Sequence, residues 1–405
     1  MRLVSGFFIR AGRAAIAAIA ACTSLAACSN ASAIPSSTVQ VNGAAVDSAV
    51  APYIGTQTPG LSVAIGYHGR IIFAKGYGKA DLASGVPMTA QTRLGVGSLE
   101  KQMTSAAILT LARDQKLSID DKVNVLLPQY LYGGQMTLRQ MSAMSSGLQG
   151  ASHDGDALYG IVGAFTGNST VAQVYANLNA HAPLPADTAW DYANIGYWLL
   201  GRTIEAATKQ TYAAAMEQRV FAPLGMTTAY IRGTQPDVNF ATGYAYFSDH
   251  TFHACPELNF STSDAAGMGA MTASDVILWD EGVRAQRLVQ GALAKAMFTP
   301  NGLPLPSSVG LPGDSYAMGW NVRNDPVFGY GVYDHEGNTT IFTSSNVLFP
   351  DGSDVVLLGN AQYSKFATDR YTISYEIHNA VAGLPKVKPF TITAPDAGIR
   401  ACQNE

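Results

Sequence analysis

Apolar and polar positions follow different rhythms along the chain. Between Ala14 and Ala21 an unbroken Ala/Ile run follows Arg2, Arg10 and Arg13, with no acidic residue before Asp47. A basic head and a short apolar run predict an export segment, well under the ~20 residues needed to span a bilayer. Farther on, Leu61 to Ile65 and Ile71 to Lys75 are short apolar stretches joined by Gly66 to Arg70. Gly69 can take positive φ, so the pair predicts a β-hairpin. A second hairpin is predicted where Thr340 to Phe349 and Asp354 to Leu358 flank the turn signal Pro350, Asp351, Gly352. Helical spacing marks Met103 to Leu111, Ala193 to Ala206, and Tyr371 to Val381, which ends at Gly383. Strands near both ends with helices between them predict one antiparallel sheet built from distant segments, an inserted helical part over about 98–290, and a cleft where the two meet.

Composition narrows the class. Of 405 residues 47% are apolar and 13% charged, which fits a globular chain rather than a disordered or coiled-coil one. Lys plus Arg is 25 and Asp plus Glu is 29, net −4, with no basic run, so the electrostatic footprint of a nucleic-acid binder is missing. Leu25, Ala26, Ala27 and Cys28 resemble the bacterial lipobox, whose Cys is acylated and becomes the mature first residue. Cleavage after Ala31, Ser32, Ala33 with soluble secretion, and a retained anchor, are the alternatives. Residues 29 to about 45, rich in Ser, Ala and Asn with Pro35, have the composition of a flexible tether. The expected organisation is an export segment over 1–27, a tether over 28–50, one folded domain over 51–385 and a tail over 386–405. Such a protein belongs to the bacterial cell envelope, periplasmic and lipid-anchored or else secreted, and meets a membrane only through that lipid.

Cysteines stand at 22, 28, 255 and 402, so Cys255 and Cys402 remain in the mature chain and a bridge between them is open. Two Cys do not make a zinc site, and the seven His contain no His-Glu-x-x-His pattern. Gly97, Ser98, Leu99, Glu100, Lys101 opens the first predicted central helix. Residues three apart share a helical face, which brings Ser98 Oγ and Lys101 Nζ together at the N-terminus. An amine there can take the hydroxyl proton, and helix N-H groups suit a developing oxyanion. No Gly-x-Ser-x-Gly occurs, which excludes an α/β-hydrolase elbow.

Ser98-x-x-Lys101 is followed by Tyr192, Ala193, Asn194 and by His335, Glu336, Gly337. In that order the three motifs resemble the serine beta-lactamase and penicillin-binding-protein superfamily, specifically the group of class C beta-lactamases, D-Ala-D-Ala carboxypeptidases, D-aminopeptidases and related esterases. The blocks Ser118 to Pro128, Met136 to Leu148 and Pro223 to Met226 resemble the same group, with Met144 where a His is common. The resemblance spans about residues 55 to 385. It implies an α+β fold, an antiparallel sheet flanked by N- and C-terminal helices with an all-α subdomain inserted.

The resemblance also implies roles. Ser98 is the nucleophile, Lys101 and Tyr192 handle its proton, Asn194 contacts Lys101 and a substrate carbonyl, and His335 to Gly337 form the substrate strand. The N-H groups of Ser98 and Asn338 form the oxyanion hole. No metal or organic cofactor is implied, and the partner is a small-molecule or peptide substrate: a D-amino-acyl peptide, a beta-lactam or an ester. His335 stands where antibiotic-hydrolysing relatives carry a Lys, which weakens attraction for a substrate carboxylate and makes it pH-dependent. His335 therefore points to the carboxypeptidase, aminopeptidase or esterase branches rather than an efficient beta-lactamase. Glu336, if it faced the cleft, would repel a substrate carboxylate and weaken the carboxypeptidase branch in turn. The alternative is a non-catalytic penicillin-binding or sensor lipoprotein on the same fold.

Overall fold

The computed structural model describes residues 39–150, 170–234, 238–247, 251–255, 264–307, 309–339, 341–362 and 364–389. The expectations for the export segment, for acylation of Cys28 and for Cys402 lie outside these residues. Cys255 is disulfide-bonded.

The second half of the expected tether is part of the fold instead. Gln40–Val41 (β1) pairs with Val381–Ala382, and α1 (Gly43–Val50) follows directly. Asn42 caps α1, its Oδ1 accepting from Ala45 N at 3.1 Å, while Val46, Ala49 and Val50 bury one face.

Both predicted hairpins form. β2 (Leu61–Tyr67) and β3 (Arg70–Tyr77) turn through His68 and Gly69, both at positive φ, the two-residue turn whose twist matches the strands. After β4 (Leu94–Gly95), β5 (Tyr230–Ile231), β6 (Tyr244–Tyr246), β7 (Phe252–Ala254) and β8 (Gly269–Met271) come the strands that complete the main sheet. These are β9 (Ser315–Tyr316), β10 (Asn321–Asp325), β11 (Gly329–Asn338), β12 (Thr343–Leu348) and β13 (Ser353–Gly359). The main sheet runs β3-β2-β13-β12-β11-β10-β9, antiparallel throughout.

β2 shows why both sheet faces can be covered. Leu61, Val63 and Ile65 pack with α1 and the C-terminal helix Ser364–Asn379, which supplies Tyr371, Tyr375 and Ile377. The alternate positions Ser62, Ala64 and Gly66 are small, and a Cβ on Gly66 would lie 2.7 Å from Ile277 Cγ2. The helix Ala273–Arg284 can therefore lie close against the sheet's other face. The C-terminal helix begins seven residues before the apolar spacing predicted it. At the centre of the helical part runs α2 (Glu100–Arg113), buried at every residue from Glu100 to Leu111. Its many polar side chains must therefore find partners inside the protein. The helical insertion also carries short strands, β8 and β5, which form one small sheet with β4 just before it. Among the described residues no helix is long and apolar enough to cross a membrane.

Candidate active site

Ser98 sits in a 3-10 turn, Gly97–Leu99, that leads into α2. Gly97 makes the turn possible: its φ is +54°, and a Cβ there would stand 3.1 Å from Asn338 N and 3.2 Å from Gly337 Cα. On the other side a Cβ on Gly267 would lie 3.0 Å from Gly97 C. The nucleophile turn is therefore wedged between β11 and the helical turn Asp264–Gly267. Gly337 is needed for a different reason, since a Cβ on it would stand 1.9 Å from Val96 O. That carbonyl accepts the Ser344 hydroxyl at 2.7 Å, which locks β12 to the same turn.

Lys101 Nζ donates to Ser98 Oγ at 2.9 Å and to Ala266 O at 2.6 Å, and the lysine is fully buried. It lies 5.0 Å from the ring centre of Tyr192 and 5.5 Å from that of Tyr197. Ser98, Tyr192 and Asn194 are half-buried and Asn338 is exposed, so the cleft opens on that side of the lysine. Tyr192 to Asn194 lead into the helix Asn194–Thr208. Met144, itself at φ +58°, grips this segment twice: its carbonyl accepts from Asp191 N at 3.0 Å and its sulfur from Ala193 N at 3.3 Å. Thus the residue noted where a His is common sets the height of the Tyr-x-Asn motif.

His335 is 1% exposed and its ring centre lies 6.3 Å from that of Tyr192. Its Nδ1 is 2.5 Å from Glu336 O, and its Nε2 is 2.9 Å from Tyr316 Oη. A carbonyl can only accept, so Nδ1 carries a proton. Both nitrogens are bonded, and in the neutral ring, which burial favours, Nε2 accepts from the tyrosine. Burial pushes the imidazole below its ordinary range, with Lys101 adding to this and Glu336 opposing it.

Glu336 does not face the cleft. Strand alternation turns it to the opposite side of β11, where its carboxylate receives Tyr371 Oη at 2.7 Å and Asn321 Nδ2 at 3.2 Å, with Arg370 at 3.6 Å. Burial raises its pKa, but the charges of Arg370 and Arg323 and the Tyr371 hydrogen bond outweigh that and hold it at about 2. Beneath lies a buried ion-pair network: Arg323 binds Asp334 through Nε (2.5 Å) and Nη2 (2.8 Å) and Asp314 through Nη1 (2.9 Å). The expected repulsion of a substrate carboxylate by Glu336 is therefore corrected: the charge is spent on the C-terminal helix.

The structure thus brings Ser98, Lys101, Tyr192, His335, Gly337 and Asn338 to one place, with Asn194 at the start of the helix after Tyr192. Three participants were not anticipated: Tyr316, Ser344 and the Ala266 carbonyl. Among the described residues no group of three His, Cys, Asp or Glu side chains converges as a metal site. A hydroxyl in contact with a buried amine, beside two amide N-H groups, can attack a carbonyl and hold the resulting oxyanion.

The family model described as Beta-lactamase matches residues 46–378. "Protein flp" of Staphylococcus aureus (strain N315) is 28% identical over 75% of this chain and 59% of its own length. "Penicillin-binding protein 4*" of Bacillus subtilis (strain 168) is 24% identical over 70% of this chain and 64% of its own. The chain thus spans somewhat under two thirds of these curated relatives. Among solved structures, the D-amino acid amidase from Ochrobactrum anthropi SV3 superposes with a TM-score of 0.69 at 20% identity, over 83% of this chain and 96% of that one.

Proposed function

The chain belongs to the Beta-lactamase family, and on that premise we propose that it is a serine hydrolase working through an acyl-enzyme on Ser98. The observation that carries this reading is the 2.9 Å contact between Ser98 Oγ and the buried Lys101 Nζ. Ser98 Oγ attacks an ester or amide carbonyl as its proton passes to Lys101 or the adjacent Tyr192. The oxyanion meets the N-H groups of Ser98 and Asn338. The same base returns the proton to the leaving group, and water then releases the acid.

The substrate class we propose is an acyl donor without a carboxylate beside the scissile bond: an ester or an amide, in the aminopeptidase or esterase manner. β11 carries no Lys or Arg, and its one His is a buried neutral ring with both nitrogens in use. A substrate carboxylate, as in beta-lactams and C-terminal D-alanyl peptides, finds no cation on that strand. The amidase relationship supports amides within this class. Turnover of p-nitrophenyl butyrate, a D-amino acid amide and nitrocefin, compared at pH 7.5, tests the reading. The two substrates without a carboxylate are expected to win; faster nitrocefin hydrolysis overturns the preference. Absence of turnover and of fluorophosphonate labelling favours a binding or sensor protein.

We further propose that the protein is a lipid-anchored envelope protein, on the strength of Leu25 to Cys28. Cys28→Ser should abolish lipid incorporation and move the protein to the soluble fraction. Unchanged fractionation and mass would point to ordinary secretion or a retained anchor.

A further inference from the structure

Glu100 stands between the two residues of the Ser-x-x-Lys pair's contact and has no part in the chemistry above. It is 0% exposed. Its Oε2 accepts from Gly269 N at 2.5 Å, and its Oε1 lies 2.8 Å from Tyr212 Oη. Tyr212 Oη lies 2.7 Å from Thr104 Oγ1, which in turn lies 2.8 Å from Ala265 O. These last three oxygen–oxygen contacts need three protons. A backbone carbonyl supplies none, and the two hydroxyls supply one each. The third must come from the carboxyl. Thr104 then donates to Ala265 O, Tyr212 to Thr104, and Glu100 Oε1-H to Tyr212, with every proton used once.

Resting on the acyl-enzyme reading of Ser98, we propose that Glu100 is a positioning residue held as the neutral acid, whose proton-ordered chain fixes the Asp264–Gly269 shelf against α2. That shelf carries the Ala266 carbonyl that receives Lys101 Nζ and the Gly269 carbonyl that receives Val96 N at 3.0 Å. A neutral side chain here also avoids placing an anion next to Lys101, where it would bind a proton on the amine by Coulomb attraction and blunt it as an acceptor. The other charged groups around this point are Asp264, paired with Arg202, and Glu205, also on Arg202 at 3.0 Å. Burial pushes the Glu100 carboxyl up to about 8 and Asp264 reinforces it; Tyr212, which would turn its hydroxyl to donate to the ionised carboxylate, the Gly269 N-H and the charge of Lys101 pull against this.

The test uses Glu100→Ala and Glu100→Gln in the full protein, read as the rate of Ser98 labelling by a fluorophosphonate between pH 6 and 9.5. Glu100→Ala should slow labelling at least tenfold at pH 7. Glu100→Gln, whose amide donates to Tyr212 and accepts from Gly269, should restore most of the rate and abolish the wild-type fall centred near pH 8. A wild-type profile that superimposes on that of Glu100→Gln overturns the proposal, as does an equal loss in both variants. The infrared difference between wild type and Glu100→Gln at pH 6 should contain the carbonyl stretch of one protonated carboxyl, which reports the neutral acid directly; a difference holding only carboxylate stretches means an anion. A wild-type protein that forms no Ser98 adduct refutes the acyl-enzyme reading, while the infrared band still decides the state of Glu100.

Discussion

Replacing Gly337 by Ala isolates the fit between the substrate strand and the nucleophile turn. The glycine is not at positive φ, so the new methyl meets a steric rather than a conformational obstacle. It would lie 1.9 Å from Val96 O, 2.4 Å from Ser344 Oγ and 2.9 Å from Val96 C. A Cβ contact shorter than 3.0 Å essentially never occurs, so β11 and the Val96–Ser98 turn must separate by about 1 Å in a close-packed interior. The Val96 carbonyl cannot swing aside without losing the Ser344 hydroxyl, a bond of about 1 kcal/mol. Overpacking of this kind costs about 1–3 kcal/mol of stability, and ~1 Å of misplacement between reacting groups costs on the order of 10²-fold in rate. The assay is the burst of p-nitrophenol release from p-nitrophenyl butyrate, with a thermal melt alongside. A burst rate within threefold of wild type and an unchanged melting temperature would show that Gly337 does not set the spacing between Asn338 N and Ser98.

Other outcomes follow from single contacts. Tyr316→Phe removes the donor to His335 Nε2 and leaves a buried acceptor unmet, so about 1–3 kcal/mol of stability should go, with several-fold slower acylation; an unperturbed melt would make that bond dispensable. Arg323→Met strands the buried Asp334 and Asp314 carboxylates and should cost about 3–5 kcal/mol in chemical denaturation. Glu336 is held at about 2 against an ordinary 4.5. Its folded-state value is the lower one, so it stabilises the fold above about pH 4.5 and loses that contribution as pH falls towards 2. Because 22% of its side-chain surface stays exposed, the effect is about 2–3 kcal/mol rather than more. Denaturation curves of wild type and Glu336→Gln should converge between pH 5 and 2, and parallel curves would contradict the assignment.

The parts legible in the sequence were those set by local pattern. Gly69 and the Pro350-Asp351-Gly352 turn announced both hairpins, the three-residue spacing paired Ser98 with Lys101, and the family resemblance of the ordered motifs brought Tyr192, His335 and Gly337 forward. The α1 pattern Val46, Ala49, Val50 behind an Asn cap was also present, but the low-complexity composition before it masked the signal. What could not be read depends on tertiary register. Tyr316 reaches His335 from a strand two places away in the sheet, 19 residues distant. Glu336 points to the C-terminal helix because the pleat puts His335 on the cleft side, and no local feature says which of two neighbours faces a ligand. Glu100 lay inside a motif already recognised, yet only its burial on all sides makes it more than a first-turn carboxylate.

The most direct test of the central claim is mass spectrometry of the intact protein quenched during turnover of p-nitrophenyl butyrate, followed by peptide mapping. The account predicts one butyryl adduct per chain, on the peptide containing Ser98, and none in Ser98→Ala. An adduct on any other residue, or undiminished turnover in Ser98→Ala, would contradict it.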